Sequence, residues 1–141
     1  MKSRARPLLS AKLRRHPRHM ATTALIVDDH QAFRSFARLL LESEGFDVVG
    51  EADDGASAVA AGAELGPQVV LLDVQLPDAL GFDVARQLLA HDPTTAVVLV
   101  SSRDAADYGD QIETSGALGF IPKAELSGSA LRELLAGAGQ R

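Results

Sequence analysis

The chain has 141 residues, one domain's length, and 46% of them are hydrophobic, enough to bury a core. It contains no cysteine, which excludes disulfide frameworks and thiolate metal sites. The net charge of −5 is uneven. The first 20 residues carry 7 of the 14 basic groups and no acid. Residues 21–141 therefore hold 7 basic against all 19 acidic groups, a net of −12 that excludes attraction to nucleic acid by this part.

The basic head, MKSRARPLLSAKLRRHPRHM, offers little to pack and reads as a disordered tail over 1–20, ahead of a folded unit over 21–141. A secretory signal needs an apolar core of about 7–15 residues after its charges, and none follows here. Arg14-Arg15 fails as a twin-arginine signal for the same reason. Met20 is an alternative start, because the folded pattern begins directly after it. No apolar run approaches the roughly 18 residues of a membrane span. A cytosolic location fits these features without being required by them.

The first apolar run is TALIV (23–27), and it runs straight into two adjacent carboxylates, Asp28 and Asp29. A helix follows over about 31–44, with Phe33, Phe36, Ala37, Leu40 and Leu41 on one face and a stop at Gly45. His30, between the acids and this helix, reads as exposed on the helix's first turn. DVVGEA (47–52) is the second strand, and a second helix covers about 55–65 before Gly66-Pro67. QVVLLD (68–73) is the third strand and ends in Asp73. A third helix covers about 82–90. AVVLVS (96–101) is the fourth strand and ends in Ser101-Ser102. A fourth helix is expected over about 104–114. GALGFI (116–121) is the fifth strand, followed by Lys123, and a last helix covers about 125–136 with Leu126, Ala130, Leu131, Leu134 and Leu135.

Runs this rich in Val, Ile and Leu read as parallel strands buried on both faces. Aromatics make up only 4% of the chain, so aliphatic side chains must build the core. Five strands alternating with five helices give an α/β, (βα)5 unit, an open doubly wound parallel sheet with right-handed crossovers. Ligand sites in this architecture lie beyond the carboxyl ends of the strands. Those ends carry Asp28, Asp29, Asp73, Ser101 and Lys123. No Gly-rich phosphate loop follows the first strand, so the usual nucleotide-binding chemistry is missing. Three carboxylates open to water suit a hard divalent cation, and a nearby lysine can pair with an anionic group.

In order and spacing, VDD, LLDVQLPDALG, VLVSS and GFIPK resemble the receiver domain of two-component response regulators, the CheY-like fold. The resemblance covers residues 22–138, including Pro77 and Gly81 after Asp73. It implies strand order 2-1-3-4-5. It also implies Asp73 as phosphoacceptor, fed from a phosphohistidine on a sensor histidine kinase or a phosphotransfer protein. Asp29, Asp73 and the backbone carbonyl of Gln75 would ligate Mg²⁺ (or Mn²⁺), and Asp28 would hold metal-bound waters or a ligand position. Lys123 would contact the phosphoryl oxygens and Ser101 would hydrogen-bond the phosphoryl group. Ser101 and Phe120 would form the switch pair. Phenylalanine at 120 lacks the hydroxyl of a tyrosine, so this switch would bias packing alone. Gln75 and Arg103 fall at the positions that tune the lifetime of the phosphorylated state.

One departure is Ala124 after the lysine, where many relatives have a cis proline. A cis Lys-Ala bond costs about 2.5–4 kcal/mol, so trans is expected. The resemblance implies a stand-alone cytoplasmic receiver that meets an output partner through helix four, strand five and helix five, and it leaves a homodimer open. It implies no direct DNA binding from 21–141 and no turnover of an external substrate. The alternatives are a phosphorylation-independent interaction domain and a phosphatase using Asp73. The phosphatase reading is weakened because Gln75 stands where a second acid is wanted.

Overall fold

Strand β1 (Thr23–Val27) is flanked by β2 (Asp47–Ala52) and β3 (Val69–Asp73), followed by β4 (Ala96–Ser101) and β5 (Gly119–Pro122). All pairings are parallel and the order is β2-β1-β3-β4-β5, in agreement with the expectation. The structure is a computed structural model that describes residues 21–139. The basic head and the question of Met20 lie outside the described residues.

The helices are α1 (Gln31–Ser43), α2 (Gly55–Leu65), α3 (Gly81–His91), α4 (Gln111–Thr114) and α5 (Gly128–Gly139). They divide the core between the two faces of the sheet. One face joins Leu25, Val27, Leu72, Phe82, Val84, Leu88 and Leu99. The other joins Ile26, Ala37, Leu41, Leu71, Val98, Val100 and Leu131. Alternate residues of β1 and β3 go to opposite faces and all but Thr23 are buried, which is why these strands read as continuous apolar runs. On α1, Ala37 and Leu41 are fully buried, and Phe33 and Leu40 pack at the edge of the core. Phe36 departs from the expected face: it is 49% exposed, beside Leu39 at 70%.

Three boundaries differ from the sequence expectation. The helix expected over 104–114 is two pieces, a 3₁₀ turn at Ala105–Tyr108 and the four-residue α4. Gly109 sits between them at φ 61°, in the left-handed region that glycine adopts without strain. The segment also presents only Ile112 and Tyr108 to the core, too little to hold a longer helix against a face. The fifth strand begins at Gly119, not 116. The last helix begins at Gly128 after a 3₁₀ turn at Lys123–Glu125, and Ser127 caps it by accepting from the Ala130 N–H at 3.1 Å. No cis peptide bond occurs among the described residues, so Lys123–Ala124 is trans as expected.

Candidate functional site

The register of the sheet builds the site. Val27 pairs with Leu72, so the next residues, Asp28 and Asp73, follow side by side at the carboxyl edge. Ser101 closes β4 opposite Pro122, which puts Lys123 one residue beyond the same edge. Ligand atoms of Asp28, Asp29, His30 and Asp73 all lie within 4.8 Å of one another.

Asp28 is fully buried and Asp73 is 4% exposed. One cation serves both: Lys123 Nζ lies 2.6 Å from Asp28 Oδ2 and 3.5 Å from Asp73 Oδ2. The shorter contact is an ion pair but is not aligned as a hydrogen bond, so Asp28 Oδ2 is buried without a hydrogen-bond donor. Asp28 Oδ1 accepts the His30 backbone N–H at 2.8 Å and lies 3.0 Å from His30 Nδ1. Asp73 Oδ1 takes only a long contact from the Gln75 N–H, at 3.4 Å. Burial, and then the charge of Asp28, push the Asp73 carboxyl up to about 6; Lys123 and the Gln75 N–H pull the other way without cancelling this.

Two buried carboxylates on one lysine leave net negative charge in a low-dielectric corner, and the orphaned Oδ2 is aimed into it. Asp29 adds a third, more exposed carboxylate at the rim, 3.2 Å from His30 Nδ1. This all-oxygen, over-charged donor set fits a hard divalent cation. Of the residues expected here, Asp28, Asp29, Asp73 and Lys123 come together.

The loop after β3 is held from both sides. Asp78 accepts from the N–H groups of Gly55 (2.7 Å) and Ala56 (3.0 Å), which satisfies two free donors at the start of α2. Those bonds hold its carboxyl below the usual range. Gly81 donates to the Val74 carbonyl at 2.6 Å. A Cβ there would fall 2.4 Å from the Asp73 carbonyl oxygen and 2.8 Å from Val74 Cα. Only glycine lets α3 start this close to Asp73.

Ser101 is 1% exposed. Its Oγ accepts the Arg103 backbone N–H at 3.0 Å and shares a hydrogen bond with the Tyr108 hydroxyl at 2.7 Å. Phe120 is half-buried and packs edge-on to the Tyr108 ring, with centroids 5.9 Å apart. The side chains of Gln75 and Arg103 are exposed, and their backbone N–H groups serve the site.

Sequence reasoning missed three neighbours. His30 is exposed as expected, yet its ring joins the acidic cluster. Phe33 places its ring centroid 4.5 Å from Lys123 Nζ, a cation–π contact. Tyr108, the chain's one tyrosine, reaches Ser101 from a segment expected to be plain helix.

The family model described as the response regulator receiver domain matches residues 24–136. Response regulator GacA of Pseudomonas aeruginosa is 36% identical over 117 residues, which cover 80% of this chain and 55% of that protein. Transcriptional regulatory protein DegU of Brevibacillus brevis is 34% identical over 110 residues, covering 77% and 46%. The signal receiver domain of the response regulator NarL from Mycobacterium tuberculosis superposes with a TM-score of 0.75 at 34% identity, covering 86% of this chain and 98% of that one. The chain spans about half the length of the curated relatives it matches first.

Proposed function

The chain belongs to the response regulator receiver domain family, and on that premise we propose that Asp73 accepts a phosphoryl group from a phosphohistidine of a sensor histidine kinase or phosphotransfer protein. One observation carries the reading: Asp28 and Asp73 are buried side by side with a single lysine between them. Such a site is incomplete without more positive charge, and it takes up an anion only once that charge is supplied.

Asp28, Asp29, Asp73 and the Gln75 carbonyl would hold Mg²⁺ or Mn²⁺. The ion supplies positive charge that keeps Asp73 ionised and offsets the charge of the incoming phosphoryl group. An Asp73 carboxylate oxygen attacks phosphorus, an O–P bond forms, the P–N bond of the phosphohistidine breaks, and the imidazole nitrogen keeps the electron pair. Lys123 turns from the carboxylates to the phosphoryl oxygens, steadied by the Phe33 ring. Ser101 donates its hydroxyl hydrogen to the same group. Gln75 and Arg103, exposed at the rim, govern the approach of the water that hydrolyses the acyl phosphate. The chain turns over only its own phosphoryl group.

A groove of about 360 Å³ lies between β5 and α5, bordered by Phe120, Pro122, Glu125, Glu133 and Leu134. It supports an output partner on the α4-β5-α5 face, where Phe120 reports the state of Ser101. No helix among the described residues is long and apolar enough to cross a membrane. The reading places the chain in the cytoplasm.

The test is incubation with a small phosphodonor and Mg²⁺, read by intact mass. Wild type gains one phosphoryl group and Asp73→Asn gains none. An unmodified wild type, or an equal adduct on Asp73→Asn, returns the chain to a phosphorylation-independent interaction domain.

A further inference from the structure

The aromatic hydroxyl absent from Phe120 is present elsewhere in the same cluster. Tyr108 stands seven residues after Ser101 and returns over it through the 3₁₀ turn at Ala105–Tyr108. Its ring is wedged edge-on between Phe82 (centroids 5.3 Å, 72°) and Phe120 (5.9 Å, 60°). Its hydroxyl meets Ser101 Oγ at 2.7 Å. A serine hydroxyl has one hydrogen and two lone pairs. One lone pair of Ser101 already takes the Arg103 N–H. A phosphoryl oxygen only accepts, so Ser101 must turn its hydrogen toward it.

Resting on the reading of Asp73 as phosphoacceptor, we infer that Tyr108 is the positioning residue for Ser101: of the two directions open to their bond, Ser101 donates its hydrogen to the Tyr108 oxygen in the resting state, so the phenol competes with the phosphoryl group for that hydrogen. Phosphorylation breaks the Ser101–Tyr108 bond. The freed phenol then loosens its place between Phe82 and Phe120. That wedge is the contact by which the state of Ser101 reaches Phe120, so the 105–108 turn and Phe120 respond together. A tie made in the resting state lowers affinity for the phosphoryl group by the factor that one hydrogen bond is worth. Removing the tie alone, with the ring kept, raises that affinity.

The chain has one tyrosine and no tryptophan, so its intrinsic fluorescence comes from Tyr108 alone. Adding Mg²⁺ and beryllofluoride, a phosphoryl mimic, to the full chain changes that emission in wild type but not in Ser101→Ala. Calorimetric titration of beryllofluoride in saturating Mg²⁺ gives Tyr108→Phe about three- to tenfold tighter binding than wild type. The same change made in Ser101→Ala has no effect. A purely structural tyrosine would not raise affinity when its hydroxyl is removed. Unchanged or weaker binding by Tyr108→Phe, or an unchanged wild-type emission on saturation, overturns the inference. Intact mass separates the two levels. If wild type takes no phosphoryl group, the reading of Asp73 falls and this inference falls with it. If it does and Tyr108→Phe binds as wild type, only this inference falls.

Discussion

Asp73→Asn removes one of two buried charges that share Lys123, and it keeps the shape of the side chain. Burial and Asp28 raise the Asp73 carboxyl from 3.8 to about 6. A displacement of about two units is worth about 3 kcal/mol at roughly 1.36 kcal/mol per unit. The cup is open to water on the Asp29 side, and screening reduces this to about 1–2 kcal/mol. The folded chain holds the Asp73 proton to higher pH than the unfolded chain does. This group's favourable contribution is therefore full below pH 3.8 and lost as pH rises through about 6. The variant should be more stable than wild type by about 1–2 kcal/mol at neutral pH in a chelator, or about 3–8 °C in Tm. The gap should shrink toward zero as pH falls to about 4. Mg²⁺ should close the gap at neutral pH by stabilising wild type more than the variant. Urea and thermal unfolding at several pH values, with and without Mg²⁺, measure each of these. A variant no more stable than wild type at neutral pH, or a gap that does not narrow in acid, would refute the account of two acids on one lysine.

Lys123→Met strands Asp28 and Asp73 without their cation and should destabilise the metal-free protein by about 3 kcal/mol in urea unfolding, with part of the loss restored by Mg²⁺. Gly81→Ala forces a methyl against the Asp73 carbonyl; it should cost about 1–3 kcal/mol and slow phosphorylation by a small phosphodonor, because the backbone that shifts carries Asp73, the proposed phosphoacceptor. Asp29→Ala should weaken Mg²⁺ binding more than Asp28→Ala, as measured by calorimetry, because Asp28 is already engaged by Lys123 and His30; the reverse order would show that the two roles are exchanged.

The sheet was legible because its residues answer to a single requirement. TALIV, VVLLD and AVVLVS are buried along nearly their whole length, on both faces of the sheet. The acids and the lysine were legible through position, since a parallel sheet carries every strand end to one edge. The segment after Ser101 was not. Its acids and alanines suit a helix by local preference, and one glycine at positive φ, Gly109, decides otherwise. Tyr108 was missed for the same reason, because its contact with Ser101 exists only once the segment curls back as a 3₁₀ turn. The partnership of Phe33 with Lys123 joins residues ninety positions apart, which only the closed fold brings together.

The pairing of Val27 with Leu72 also limits how this protein can change. Side chains along a strand alternate between faces, so one residue inserted in β1 or β3 would turn a carboxylate from the cup into the core and a core residue into the cup. The central chemistry cannot be shifted by small steps without unmaking the sheet beneath it. Variation is left to positions that touch the edge through backbone alone. Gln75 and Arg103 are such positions, with exposed side chains and main-chain amides already committed to Asp73 and Ser101. Exchange of those two side chains leaves these main-chain bonds in place, so under the role proposed for Gln75 and Arg103 the lifetime of the phosphorylated state would diverge while the acids and the lysine stay fixed.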